Sequence, residues 1–336
     1  METPPSSLQA DSKAGYVLST VVEVVERILT FIPTKALLRI AGGVLTYTPA
    51  TKIIYRLLTH LLTLTVSITR KCQDEDGLDA MDRLRHLLPK SCDILWIVTP
   101  GIVLTPPRLP CSCPQEFMEG EAGFSLLFPA MEGVHIRPFH FCKKNLNQTS
   151  LEEAGLVGNP DLKVVLLFGY DAYKSGAARF LNQLLEPLAH SNVLIAGGHV
   201  EKAFPHCSPG SFGVMGLALS GSRIQGASVL LDQDVSSPKA AEVTIRRLKA
   251  ADIPERNTIG FMFACVARGH NHYNNQHNVE ADTFHKVFPG VPLFGFFGNG
   301  EIGCDRIVKE NYTLSETDAN GLQHGYTTVM SLVHLG

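Results

Sequence analysis

Six residues near the carboxyl end, Gly298-Asn299-Gly300-Glu301-Ile302-Gly303, spell G-x-G-x-x-G, the spacing with which a tight turn can cradle a dinucleotide pyrophosphate. That chemistry needs a strand before the first glycine and, after the third, a helix whose first N–H groups hold the phosphate. Leu293 to Phe297 supplies the strand. Beyond Gly303 the chain mixes β-branched and turn-forming residues with no sustained apolar repeat at helical spacing. Asp318 stands about where a ribose-binding acid belongs, yet within Glu316-Thr317-Asp318-Ala319-Asn320-Gly321 it reads as part of a turn. The spelling therefore predicts a turn that shapes a surface or a small pocket. An NAD-dependent oxidoreductase is the reading it displaces.

Three other groups invite chemistry. Cys265 ends an apolar run and precedes Arg268, a cation that could depress its thiol pKa, but a nucleophile also needs a base and an orienting group in reach. The competing reading is a core cysteine at a strand end. His270, His272 and His277 are ligand types, but apart from Glu280 their asparagine-rich setting offers no cysteine or acid at ligand spacing, so a solvated loop is expected and no metal. Glu301 sits among glycines whose amides could hold a ligand against it, whereas glycines more often mark positive φ or close backbone approach.

Composition narrows the classes. The chain has 336 residues, enough for about two domains and a sizeable core, and a net charge of -3 with no long basic run, so nucleic acid is not an expected partner. Its eight cysteines are scattered, and the close pair Cys111 and Cys113 lies among prolines, which matches neither a zinc site nor a disulfide framework. They suit a reducing compartment. The first residues carry no secretory pattern and read as a disordered tail over 1–16. Ile53 to Ile68 is the most membrane-like stretch, but it is short and contains Arg56 and His60, so a soluble amphipathic or buried segment is expected and no membrane.

Several elements must position these residues. Leu18, Val21, Val25, Ile28, Leu29 and Ile32 recur at three- and four-residue spacing, predicting an amphipathic helix with Thr20 and Glu23 as a capping box and Pro33 as its stop. Lys35 to Ile40, with Leu37 and Leu38, begins a second short helix that Gly42-Gly43 breaks. A two-helix element this small cannot build its own core and must bury its stripe against a partner or against the rest of the chain. Residues 46–91 read ambiguously. From Asp93 onward, apolar runs predict strands at Ile94 to Val98, Phe124 to Phe128, Val164 to Phe168, Val193 to Ala196, Val214 to Leu219, Ala227 to Leu231, Ile259 to Ala264, Leu293 to Phe297 and Tyr326 to Val333. Helices are predicted over Tyr173 to His190, Pro238 to Ala250 and Val279 to Phe288. The fold class is α/β, in two parts joined near Gln233 to Pro238.

Two blocks, Gly260 to Gly269 (GFMFACVARG) and Pro292 to Gly303 (PLFGFFGNGEIG), resemble the paired signature of FIST domains, and the likeness extends over roughly residues 92 to 335. The hairpin resembles an F-box, whose first helix ends in a pattern matched by Ile28-Leu29-Thr30-Phe31-Ile32-Pro33. The chain departs from that pattern after Ile40-Ala41: Gly42-Gly43-Val44-Leu45 stands where a Val-Cys-Arg-x-Trp segment and a further helix belong, and the one tryptophan is Trp96. The resemblance implies a partial F-box at 17–45, a connecting segment at 46–91, and FIST parts at 92–235 and 236–336, of mixed sheets flanked by helices. It further implies a non-catalytic adaptor without cofactor that docks through Leu18, Val21, Val25, Ile28, Leu29, Ile32, Pro33, Leu37 and Leu38 on the Skp adaptor and cullin-RING core of a ubiquitin ligase. Such an adaptor brings protein substrates to proteasomal degradation in the cytoplasm and nucleus. The FIST motif residues Cys265, Arg268, Gly269, Gly298, Asn299, Gly300, Glu301 and Gly303 would face a ligand or substrate. With half of the F-box replaced, a small-ligand sensor or a variant unable to join the ligase is the alternative.

Overall fold

The computed structural model describes residues 61–69, 90, 92–106, 113–118, 122–129, 131–204, 211–308 and 318–336. The expected tail over 1–16 and the expected partial F-box over 17–45 lie outside the described residues.

The described chain runs as three successive units. The first holds β1 (Leu61–Thr69), β2 (Asp93–Thr99), β3 (Gly101–Leu104), β4 (Gln115–Phe117) and β5 (Gly123–Pro129). The second holds β6 (His135–Cys142), α1 (Gln148–Glu153), β7 (Leu162–Tyr170), α2 (Ala177–Ala189), β8 (Leu194–Val200), β9 (Lys202–Phe204) and β10 (Gly213–Ser220). The third holds β11 (Gln225–Leu231), α3 (Pro238–Arg246), β12 (Thr258–Cys265), α4 (Val279–Val287), β13 (Leu293–Gly298), β14 (Glu301–Gly303), β15 (Arg306–Val308), β16 (Gln323–His324) and β17 (Thr328–His334).

Each unit is built on a parallel pair, β1 with β2, β7 with β8 and β12 with β13. Each pair has an antiparallel strand on its first member: β5, β10 and β17 respectively. After the second member, each chain crosses into the sheet of another unit, and the crossing strand always starts eight residues on: 93 and 101, 194 and 202, 293 and 301. Thus β3 pairs with β13, β9 with β2 and β14 with β8, closing a ring of exchanged strands. Among the described residues the sheets are β5-β1-β2-β9, β16-β14-β8-β7-β10-β6 and β15-β11-β17-β12-β13-β3-β4. Strands before and after residue 236 share two of these sheets.

Local chemistry explains the elements. Along β7 every residue except Lys163 is buried, the continuous apolar signature of a strand covered on both faces. In α2 the buried Phe180, Leu181, Leu184, Leu185 and Leu188 form one stripe. Its start lies at Gly176, later than Tyr173, because a φ of 89° there is open to glycine. Ser237 caps α3 by accepting from Ala240 N at 3.2 Å, ahead of Pro238. β6 escapes sequence reading because it alternates and contains Pro138, which its edge position tolerates. Within the membrane-like stretch, Leu61–Thr69 is a strand with Thr63 and Ser67 buried.

A central cluster takes side chains from all three sheets, including Phe124, Phe168, Phe261, Phe263, Phe294 and Phe296. Each such ring contributes about 1.5–3 kcal/mol on full burial. A cavity of about 30 Å³ remains among Thr65, Phe124, Phe168, Phe263 and Phe296, room for about one water. A second cluster packs α1 and α2 on the six-stranded sheet, and a third packs α3 and α4 on the seven-stranded sheet.

Candidate functional site

The glycine motif lies where β13 leaves the seven-stranded sheet and β14 joins the six-stranded one. Asn299 N donates to His199 O at 2.9 Å and His199 N donates to Gly300 O at 2.8 Å, so the turn is stitched to the end of β8. This contact dictates glycine: a Cβ at Gly298 would stand 2.5 Å from His199 O, and one at Gly300, where φ is +124°, would stand 3.0 Å from His199 Cδ2. Gly303 continues as the end of β14, against Ile195 O and Val329. A strand follows the turn where a dinucleotide site requires a helix to hold the pyrophosphate.

Behind the turn sits a buried polar network. Arg268 and Glu280 are both fully buried. Arg268 Nε and Nη2 donate to Glu280 Oε1 at 2.8 and 2.6 Å, and Tyr273 OH donates to the same oxygen at 2.7 Å. Arg268 also donates to the carbonyls of Asp232 (3.0 Å), Val235 (3.1 Å) and Tyr326 (3.2 Å). One side chain thereby ties the segment after β11, α4 and the turn before β17 to the end of β12. Burial, with Glu280 beside it, pushes the Tyr273 phenol well above its ordinary value. Glu116 accepts from Ala281 N at 3.0 Å in the first turn of α4. Burial of its carboxyl, then the charge of Glu280, push its pKa up to about 8.

Glu301 is 1% exposed. Its Oε2 accepts from Thr327 N at 3.1 Å and Thr327 Oγ1 at 2.8 Å, while its buried Oε1 has no hydrogen-bond partner among the described residues. Burial pushes this carboxyl up to about 7, against the opposing pull of Thr327 and Arg268. His199, whose buried Nδ1 also lacks a partner, is held toward its neutral form by burial.

These facts place each sequence-predicted residue. Gly298, Gly300, Glu301, Arg268, Gly269 and Cys265 gather at the ends of β12, β13 and β17, since Cys265 N donates to Thr327 O at 3.0 Å and Val266 N to Gly298 O at 2.8 Å. Arg268 is fully enclosed, Gly269, Cys265 and Glu301 are buried, and Asn299 is exposed. What the cluster presents outward is Asn299, Val266 (38% exposed) and Tyr326 (64% exposed, φ 63°). The arrangement braces a surface. His270 and His277 stack at 4.7 Å, and His272 Nε2 lies 2.8 Å from Val235 O. Among the described residues, no group of three or more His, Cys, Asp or Glu is placed to hold a metal ion. The adaptor-contact residues from Leu18 to Leu38 fall outside the described residues.

Sequence reasoning missed Tyr273, Glu116 and Arg306, and named Glu280 as an acid near the histidines without its bond to Arg268. The fully buried Arg306 donates to Val193 O at 2.6 Å, Ala189 O at 3.2 Å and Ser191 O at 3.3 Å, around the carboxyl end of α2. Preceded by Asp305, in a segment that mixes β-branched and turn-forming residues, Arg306 gave no local signal of burial.

The model of the FIST C domain matches residues 215–304. F-box only protein 22 of Homo sapiens is 44% identical over 385 aligned positions, covering 97% of this chain and 96% of that protein. F-box only protein 22 of Pongo abelii is 43% identical with the same coverage. The alignment with the human protein is longer than this chain, so that relative carries internal segments that this chain lacks. Among solved structures, a cyanuric acid hydrolase from A. caulinodans is similar with a TM-score of 0.42 and 12% identity, over 90% of this chain and 94% of that one.

Proposed function

Because this chain belongs to the family of F-box only protein 22, we propose that it is a non-catalytic adaptor that joins a Skp–cullin–F-box ubiquitin ligase and selects proteins for degradation. The observation that carries this reading is the 44% identity to the human protein across 97% of this chain. The site geometry agrees with it. The buried cations and carboxylates are engaged in holding strand ends together, and the outward groups, Asn299, Val266 and Tyr326, suit protein contact. In this reading the stripe from Leu18 to Leu38 meets the Skp adaptor, the FIST body meets the substrate, and the work is done in cytoplasm and nucleus. Co-purification of the full chain with the Skp adaptor and cullin tests it. Recovery of both at the level of an intact F-box protein is expected; recovery of neither overturns it.

One observation favours a second reading, a small-ligand sensor: Glu301 keeps a buried oxygen without a partner. Thermal-shift screening with amino acids and nucleotides, with Glu301→Gln as control, supports that reading if a shift depends on Glu301.

A further inference from the structure

Tyr326 holds a backbone conformation that its side chain opposes. Its φ of 63° lies in the left-handed region, which a bulky residue adopts only when its surroundings impose it. The ring gains little from packing. It is 64% exposed, and among the described residues it stacks on no other ring and its hydroxyl makes no hydrogen bond. Glycine or asparagine would occupy this position at less cost.

Buried groups on both sides of Tyr326 hold it there. Arg268 Nη1 donates to Tyr326 O at 3.2 Å, and Glu301 Oε2 accepts from Thr327 N at 3.1 Å and Thr327 Oγ1 at 2.8 Å. The same guanidinium donates to Asp232 O at 3.0 Å and Val235 O at 3.1 Å, the two ends of a turn that Val235 N closes on Asp232 O at 3.0 Å. Leu231 of β11 pairs with Thr328 of β17, so this turn leaves the sheet beside Tyr326. Arg268 thereby clamps a strained tyrosine and the Asp232–Val235 turn together at one end of the seven-stranded sheet.

The turn adds charge to the exposed ring. Asp232, Gln233 and Asp234 are exposed, and among the described residues neither carboxylate has an ion-pair partner. The cation beneath them, Arg268, has no exposed surface and is neutralised by Glu280. What reaches solvent is therefore an aromatic face beside two carboxylates. A guanidinium complements such a patch, because it stacks on a ring and also bonds carboxylates through its planar fork.

We propose that Tyr326 anchors a substrate-binding patch and that, with Asp232 and Asp234, it takes an arginine-bearing segment of the partner protein. This rests on the reading of the FIST body as the part that selects substrates, and adds the chemistry that it selects. The strain at Tyr326 is kept for recognition and not for stability, a distinction that one substitution exposes.

Tyr326→Gly removes the ring and the strain together. The full chain carrying it is expected to melt at the unsubstituted temperature or up to about 3 °C higher. The binding probes are surface-bound peptides of one Gly-Ser frame that carry paired arginines, citrullines, leucines or glutamates. The arginine peptide is expected to retain the unsubstituted chain about five-fold better than the citrulline peptide, which keeps the shape without the charge. Tyr326→Gly should remove that advantage, Asp232→Asn with Asp234→Asn should lower it about three-fold, and added salt should weaken it. Tyr326→Asn, which tolerates the same φ, replaces the glycine variant if that one fails to fold.

The proposal is overturned if citrulline or leucine peptides bind as well as the arginine peptide, if none binds, or if Tyr326→Gly binds unchanged. A lowered melting temperature in both Tyr326 variants also overturns it, since the ring is then part of the fold. So does self-association that depends on Tyr326, since a second copy is then the occupant. Skp co-purification is scored on the same proteins. Its loss with arginine binding intact overturns the ligase reading alone, and the reverse result overturns this proposal alone.

Discussion

Arg268 and Glu280, neither with any exposed surface, meet on one oxygen: Arg268 Nε and Nη2 lie 2.8 and 2.6 Å from Glu280 Oε1. Twelve residues apart in sequence, they sit on opposite sides of the histidine-containing loop, so their contact fixes that loop against α4. The five N–H donors of a guanidinium suit this place, because the fork also reaches three carbonyls from two other segments.

Breaking this pair from one side leaves a buried charge without its partner. Arg268→Met is expected to destabilise the chain by about 3–5 kcal/mol, whereas the double variant Arg268→Met with Glu280→Leu should recover part of that loss. Urea unfolding measures both. Equal stability of the single and double variants would contradict the coupling.

Glu301 makes stability depend on pH. Its folded pKa, about 7, lies above the ordinary carboxyl value of 4.5, so the folded chain binds the proton more tightly than the unfolded chain. The contribution is complete below about pH 4.5, declines as pH rises toward 7, and is absent above it. Glu301→Gln, which carries no titrating proton, is expected to flatten this part of the stability profile. Glu116, also pushed up, leaves a residual slope. An unaltered slope in Glu301→Gln is the contrary result.

The turn from β13 to β14 tolerates no side chain at its first glycine. Gly298→Ala directs a methyl at the carbonyl of His199, a backbone atom that cannot rotate away. A loss of about 1–3 kcal/mol is expected from the forced shift. Gly325→Ala, where nothing stands within 4 Å of the added carbon, is the comparison and should change stability far less. Melting temperatures of the two variants decide.

Arg306 stabilises α2 from another unit. Arg306→Leu removes its bonds to Ala189, Ser191 and Val193 and leaves the carbonyls of Ala189 and Val193 buried. The expected cost is about 2–4 kcal/mol, since each bond to a charged group contributes about 1.5–3 kcal/mol and orphaned acceptors add to the loss. Hydrogen exchange should show earlier opening of α2 than of α3.

The sequence by itself determined the elements whose signals are local. Continuous apolar runs marked β2, β5, β7, β8, β10 to β13 and β17, and helical spacing marked α2, α3 and α4. The lack of a helical repeat after Gly303 counted against a nucleotide turn, and the FIST resemblance was carried by linear motifs. Short or alternating strands, β3, β4, β6, β9 and β14, gave no such signal because their burial comes from partners distant in the chain. The tertiary structure alone decided that Gly298 and Gly300 permit passage between two sheets, that Arg268 closes on Glu280, and that Glu301 is enclosed by Thr327. It alone made three units of unlike sequence equivalent. Each of these rests on contacts between residues far apart in the chain, and the periodicity of a single strand or helix carries no information about which distant backbone or charge will meet it.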